Sequence, residues 1–252
     1  MKRSIFTINI TAAAVLLITG IGSAQAGISL DRTRVILTGK NISASANLSN
    51  TSPTVPFLAQ SWVEDTSGKK ITSPLVVLPA LQRINGGQKG VIRITKSNGI
   101  DALPQDRESL FYLNVREIPP KPDRGNVLQL SMQTRVKLFY RPTAILLKDE
   151  AVWQNQVVFK KEGNKLIADN PTPYFITIIG LSRDSSKGKG ASLTSFPGVM
   201  ISPKSTLDVP VNDINVTDFA MMYVNDYGGH PEIRYHCQGT VCNALPDDQQ
   251  RK

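Results

Sequence analysis

The chain has 252 residues, with 29 Lys and Arg against 20 Asp and Glu, 40% apolar residues, two cysteines and two histidines. At roughly 150 residues per domain, that length suits one large domain or two smaller ones, each with room for a core. Its 18 glycines and 16 prolines carry no fixed-period repeat, which excludes collagen-like, low-complexity, coiled-coil and solenoid architectures.

Lys2 and Arg3 open the chain, an apolar stretch runs through residues 12–18, and Ala24-Gln25-Ala26 supplies the small residues that a signal peptidase needs. This reads as a secretory signal over residues 1–26, cleaved after Ala26. Its apolar run of about a dozen residues falls short of the roughly 20 needed to cross a bilayer. No later run is longer, so a soluble exported protein without stable membrane insertion is expected. Export changes what the charge means. Genomic DNA and nucleotide cofactors lie in the cytoplasm, so the expected counterpart is an acidic protein surface, a carboxylate or an anionic envelope, not nucleic acid. Residues 27–145 hold 16 basic and 8 acidic side chains, a surplus of +8, whereas residues 146–252 hold 11 and 12, a balance of −1. Whatever the charge does, it does from the first half.

The rest of the chain reads as strands. Ile42-Ser43-Ala44-Ser45-Ala46-Asn47-Leu48 alternates apolar and polar residues, the period of a strand with one face buried. Asn50-Thr51-Ser52-Pro53 breaks it, residues 57–64 follow as a strand carrying Trp62, and Asp65-Thr66-Ser67-Gly68 is turn chemistry. Residues 91–95, 110–116 and the long stretch 126–140 continue the series. No segment holds a 3.6-residue apolar period for the length of a helix. After Arg141-Pro142-Thr143 the pattern restarts at Val152-Trp153 and continues through 157–159, 165–168, 174–181, 199–201, 207–211, 220–224 and 233–237. Short strands with regular turn signals predict two β-sandwiches, over 27–145 and 146–252. The polar loop 184–190 reads as a mobile hairpin end, because no helix follows to make it a phosphate cradle.

Enzyme signatures are missing. Both histidines, His230 and His236, lie near the end of the chain, and there is no G-x-S-x-G elbow, H-E-x-x-H pair or G-x-G-x-x-G turn. No catalytic residue and no cofactor is expected. His230, His236, Cys237 and Cys242 form a compact set of soft-metal ligands. His236 and Cys237, however, are neighbours on a predicted strand and point to opposite faces, so the four do not converge as a zinc knuckle requires. A structural disulfide between Cys237 and Cys242, closing a hairpin, is the better reading in an exported protein.

The stretch 127–140 is the most informative. Leu128, Leu130 and Met132 alternate with Gln129, Ser131 and Gln133. Such a row is either ordinary core or an apolar edge lent to a partner by strand addition, and periodicity alone does not separate the two.

Several motifs, in order, give the chain a family resemblance. They are residues 27–34 ending in Asp31-Arg32-Thr33-Arg34, residues 103–112 beginning Leu103-Pro104-Gln105-Asp106-Arg107-Glu108, and Val115-Arg116-Glu117-Ile118-Pro119-Pro120. Then come Lys137-Leu138-Phe139-Tyr140-Arg141-Pro142, Asn170-Pro171-Thr172-Pro173-Tyr174 and Asn225-Asp226-Tyr227-Gly228-Gly229. Together they resemble the periplasmic pilus chaperones of the PapD type, from residue 27 to Cys242.

The resemblance implies an all-β protein of two immunoglobulin-like sandwiches set as a boomerang around an interdomain cleft. It implies a non-enzymatic periplasmic chaperone that caps pilin subunits with its own long strand, lending Leu128, Leu130 and Met132, and hands them to an outer-membrane usher. Arg34 and Lys137 match the positions that grip the subunit's C-terminal carboxylate. Glu108, Arg141 and Asp226 match an ion network between the domains. The short connection 117–126 resembles the subgroup with a short loop before the lent strand. Self-association of the free chaperone is open. The parity of the stretch poses a problem: in a straight strand Lys137 lies on the face opposite Met132, so a bulge, a twist or a role at the strand's end is expected. The rival reading, an exported immunoglobulin-like adhesin or glycan-binding module, needs an aromatic platform, whereas aromatic residues make up only 6% of the chain and fall mostly within predicted strands.

Overall fold

The computed structural model describes residues 27–122, 124–147, 151–183, 190–195 and 198–246. The expected signal over 1–26, and all of the polar loop 184–190 but its last residue, lie outside them.

The first half forms β1 (Ile28–Leu30), β2 (Arg34–Thr38), β3 (Ser43–Asn50), β4 (Phe57–Glu64), β5 (Lys70–Ile71), β6 (Leu75–Leu78), β7 (Leu81–Ile84), β8 (Lys89–Lys96), β9 (Ser109–Ile118) and β10 (Gln133–Arg141). They make two sheets, ordered β1-β3-β8-β6 and β2-β10-β9-β4-β5, with β7 also paired to β4. The alternation of 42–48 is realised over its second half: Ala46 and Leu48 are buried while Ser45 and Asn47 face solvent, whereas Ile42 precedes β3 and is exposed. Ile92 and Ile94 of the first sheet meet Leu37, Leu113 and Leu138 of the second in one core.

The second half forms β11 (Val158–Glu162), β12 (Lys165–Asn170), β13 (Ile176–Arg183), β14 (Val199–Ile201), β15 (Ser205–Pro210), β16 (Asp218–Tyr223), β17 (Glu232–Gln238) and β18 (Val241–Ala244). These share one hydrogen-bonded path, β14-β13-β16-β17-β18-β11-β12-β15. The path bends round so that strands from both its ends contribute to a single core. At its centre Phe219 and Tyr235 stack at 5.2 Å, and Phe159 meets both edge-on. The Tyr235 hydroxyl donates to the Val157 carbonyl at 3.1 Å, and burial pushes its pKa up. The β17–β18 hairpin is closed by the Cys237–Cys242 disulfide.

Two expectations are corrected. Val152 and Trp153 belong to no strand; Trp153–Gln156 is a short 3-10 turn. The stretch 126–140 is not one continuous ladder strand. Pairing with β9 begins at Gln133, and residues 127–132 belong to no strand. The physical reason is on the neighbouring strand, because β9 runs into Pro119 and Pro120, which have no N–H to donate. Among the described residues no helix is long and apolar enough to cross a membrane, and no cluster of His, Cys, Asp or Glu has metal-ligand geometry.

Candidate functional site

The strand β10 supplies both faces of the site. On its even face Val136, Leu138 and Tyr140 are buried in the first core. The same face continues outward into Met132, Leu130 and Leu128, which are 56%, 72% and 85% exposed. Its odd face carries Lys137, Phe139 and Arg141 toward the second half of the molecule. The register with β9 runs unbroken from Gln133 to Tyr140, so no bulge is needed. Lys137 and Met132 do lie on opposite faces, and opposite faces are what the arrangement uses.

Lys137 pairs in register with Arg34 of the parallel strand β2. The Lys137 ammonium donates to Thr177 Oγ1 on β13 at 3.0 Å, and Arg34 Nη1 donates to the Val224 carbonyl at 3.2 Å. Arg34 Nε is buried with no partner. Both side chains are half-buried, and among the described residues neither is held in a salt bridge. Burial lowers the Lys137 pKa, and the Arg34 charge beside it adds to the effect. Burial also lowers the Arg34 pKa, outweighing the pull of Asp226 and Glu108. Two cations removed from water without an anion of their own are a site that an incoming carboxylate would relieve, through charge-assisted hydrogen bonds.

Around this pair the two halves are tied together. Arg141 Nε donates to Glu108 Oε1 at 2.8 Å, while Nη1 and Nη2 grip the two oxygens of Asp226 at 2.7 and 3.0 Å. Glu108 Oε2 accepts the Phe175 N–H at 2.9 Å. Burial pushes the Glu108 carboxyl up, only partly offset by Arg141. Burial opposes the charge of Arg141, but its bonds to Asp226 and the charge of Glu108 win and its pKa rises. Asp226 is aimed by its turn: Asn225 Oδ1 accepts the N–H of Tyr227 and Gly229, and Gly228 has a positive φ of 83°. A Cβ at Gly228 would come within 2.4 Å of Thr33 Oγ1, so glycine also allows the turn to close on β2's entrance. The guanidinium of Arg141 further lies 5.1 Å from the ring centres of Trp153 and Tyr174.

A cavity of about 530 Å³ opens between the halves, lined among others by Arg34, Ile36, Arg141, Trp153 and Asp226. It reaches Arg34 but not Lys137. The structure thus brings together Arg34 with Lys137, and Glu108 with Arg141 and Asp226. It leaves Leu128, Leu130 and Met132 exposed at the far end of β10.

Sequence reasoning missed Thr177 and the Phe139–Phe175 contact, whose rings lie 5.6 Å apart. Their only signal was that Phe175 and Thr177 sit two apart, on one face of a predicted strand. It also missed the Lys204–Asp106 bond at 2.7 Å, which joins residues far apart in sequence.

Comparison with known proteins agrees with this architecture. Residues 27–146 match the family model described as pili and flagellar-assembly chaperone, PapD N-terminal domain, and residues 152–235 match the pili assembly chaperone PapD, C-terminal domain. The chaperone protein PmfD of Proteus mirabilis is 60% identical over 95% of this chain and 94% of its own length. A chain of the Salmonella enterica complex of SafA pilin with the SafB chaperone superposes with a TM-score of 0.72 at 25% identity, covering 86% of this chain and 99% of that one. The periplasmic chaperone SfaE gives a TM-score of 0.65 at 29% identity, over 82% and 98% of the two chains.

Proposed function

The chain belongs to the PapD family of pili-assembly chaperones, and on that premise we propose that it captures pilin subunits in the periplasm by lending them an apolar edge and holding their C-terminal carboxylate. The family is one of chaperones, which is not an enzyme class, and the adhesin or glycan-binding alternative is not favoured.

The observation that carries the mechanism is a juxtaposition. A cation pair that is in no salt bridge among the described residues, Arg34 and Lys137, sits where β2 and β10 begin to pair, and the segment leading into β10 exposes Leu128, Leu130 and Met132. A carboxylate entering the cleft meets up to about eight N–H donors and two positive charges. From that anchor a subunit strand running along β10 meets unpaired backbone and an apolar row, each residue of which contributes about 1.5–3 kcal/mol if fully buried. Glu108, Arg141 and Asp226 act at the hinge, fixing the angle at which the two halves present the cleft. The captured subunit then passes to an outer-membrane usher. In the absence of a subunit the same row is available to a second copy of the chain.

The test is a periplasmic pull-down of the wild-type chain and of Arg34→Ala and Lys137→Ala. Both variants are expected to fold and to lose co-purifying pilin, since removing a charge that pairs with a desolvated carboxylate costs about 2–5 kcal/mol. Undiminished capture by both would sink the carboxylate anchor.

A further inference from the structure

The core-facing side of β9 reads Phe111, Leu113, Val115 and then Glu117. A carboxylate thus occupies a position whose period calls for an apolar side chain, and it is only 5% exposed. A buried acid at a core position must be satisfied by donors, and this one is satisfied by backbone from two other segments. Its Oε2 accepts the N–H of Ile28 in β1 at 2.9 Å, and its Oε1 accepts the N–H of Met132 at 3.2 Å.

Met132 is the residue at which pairing between β9 and β10 stops. The Glu117 N–H still donates to the Met132 carbonyl at 3.0 Å. The reciprocal bond of an antiparallel pair, from the Met132 N–H to the Glu117 carbonyl, is replaced. The side chain of Glu117 takes the Met132 N–H, and the Ser131 hydroxyl donates to the Glu117 carbonyl. One step further on, Gln129 Nε2 donates to the Pro120 carbonyl at 2.6 Å. Side-chain bonds on the odd face therefore hold the segment where Pro119 and Pro120 offer no N–H, and the even face with Leu128, Leu130 and Met132 stays free.

We infer that Glu117 is a positioning residue for subunit capture: its carboxylate pins the root of the lent segment to β1 and sets the point where that segment leaves the sheet. Met132, five residues before Lys137 in the chain, is thereby held beside the end of β9 in line with β10, so that the apolar row and the cation pair address one subunit in phase. This rests on the strand-lending reading above, deepens it, and concerns a residue that touches neither the carboxylate nor the subunit's apolar surface.

The experiment combines backbone amide hydrogen exchange of the free chain with retention of a pilin subunit that the wild-type chain co-purifies from the periplasm. The variants are Glu117→Gln, Ser131→Ala and, as a control for general loosening, Ile94→Val, which trims the same core from β8. Glu117→Gln places a donor where one of the two backbone N–H groups needs an acceptor. It is expected to speed exchange at Met132 and Ile28 by about tenfold or more while leaving Leu138 protected, the size expected for losing a hydrogen bond to a charged group. Subunit release is expected to accelerate by a similar factor, beyond that of Ile94→Val compared at equal thermal stability. Ser131→Ala, which is exposed and does not threaten folding, is expected to do the same more weakly, by about threefold. Unchanged exchange at Met132 in Glu117→Gln, or release no faster than in the matched control, overturns the inference. If Glu117→Gln does not fold, an unchanged Met132 amide in Ser131→Ala overturns it instead. Failure of the wild-type chain to retain any pilin would defeat the strand-lending reading, and the exchange measurement would still decide whether Glu117 pins the segment.

Discussion

Residues 127–132 and 133–141 continue one alternation, yet they meet opposite fates. In the second segment the apolar face is core: Leu138 is fully buried beneath the opposing sheet. In the first, the same face points at solvent, with Leu128 85% exposed. Nothing in the residue types differs between Leu128 and Leu138. The difference is the neighbour: β9 pairs with the second segment from Gln133 and β2 joins it from Lys137, while beside the first segment β9 has ended at Ile118, before Pro119 and Pro120, and β2 does not reach it. A period-2 pattern therefore specifies a face, and only the surrounding strands decide whether the molecule itself covers it.

Mutation can sharpen that contrast. The largest loss of stability is expected from Arg141→Ala at the end of the paired segment, which leaves the buried Glu108 carboxylate without its cation. Breaking a buried pair from one side costs about 3–5 kcal/mol, read as a lowered urea midpoint. Leu138→Ala is next, at about 2–5 kcal/mol for a cavity in the core, again by urea unfolding. Leu130→Ala should change the stability of the free chain by less than about 0.5 kcal/mol, because an exposed side chain has no burial to lose. The same substitution should weaken subunit retention by about tenfold or more if the side chain is fully buried in the complex. A large stability loss in Leu130→Ala would break the contrast, since it would mean that the outer segment is packed in the free protein. The smallest effect is expected at the rim, where Asp31 accepts from Arg32 and Asn47 and its pKa is lowered to about 2, chiefly by Arg32. A lowered carboxyl pKa stabilises the fold above its ordinary value, and that stability is lost as pH falls through about 2. Solvent screening keeps it under about 1 kcal/mol, so an Asp31→Asn variant should lose its excess acid sensitivity and little else.

Much of this was legible in advance. The Cys237 and Cys242 spacing indicated a hairpin disulfide, and the alternation around Ala46 and Leu48 indicated which side of β3 is buried. The short strands β5, β6 and β7 were not legible, because a few residues do not carry a period. The opposite parity of Lys137 and Met132 is legible in the sequence, but its meaning is not. The odd face addresses Thr177 and Phe175, residues whose nearness no local pattern records. For Glu117 the sequence does carry a signal, an acid on the core-facing period of β9.

By itself the sequence determined the strand periods, the hairpin cross-link and the concentration of positive charge in the first half, because each is a property of residues close together along the chain. The tertiary structure alone decided that Arg34 and Lys137 stand side by side, half-buried and, among the described residues, in no salt bridge, and that the row ending at Met132 has no sheet to cover it. Burial and pairing are set by what other strands bring alongside, and the strands that set them here come from β2, β9 and β13, far apart in sequence.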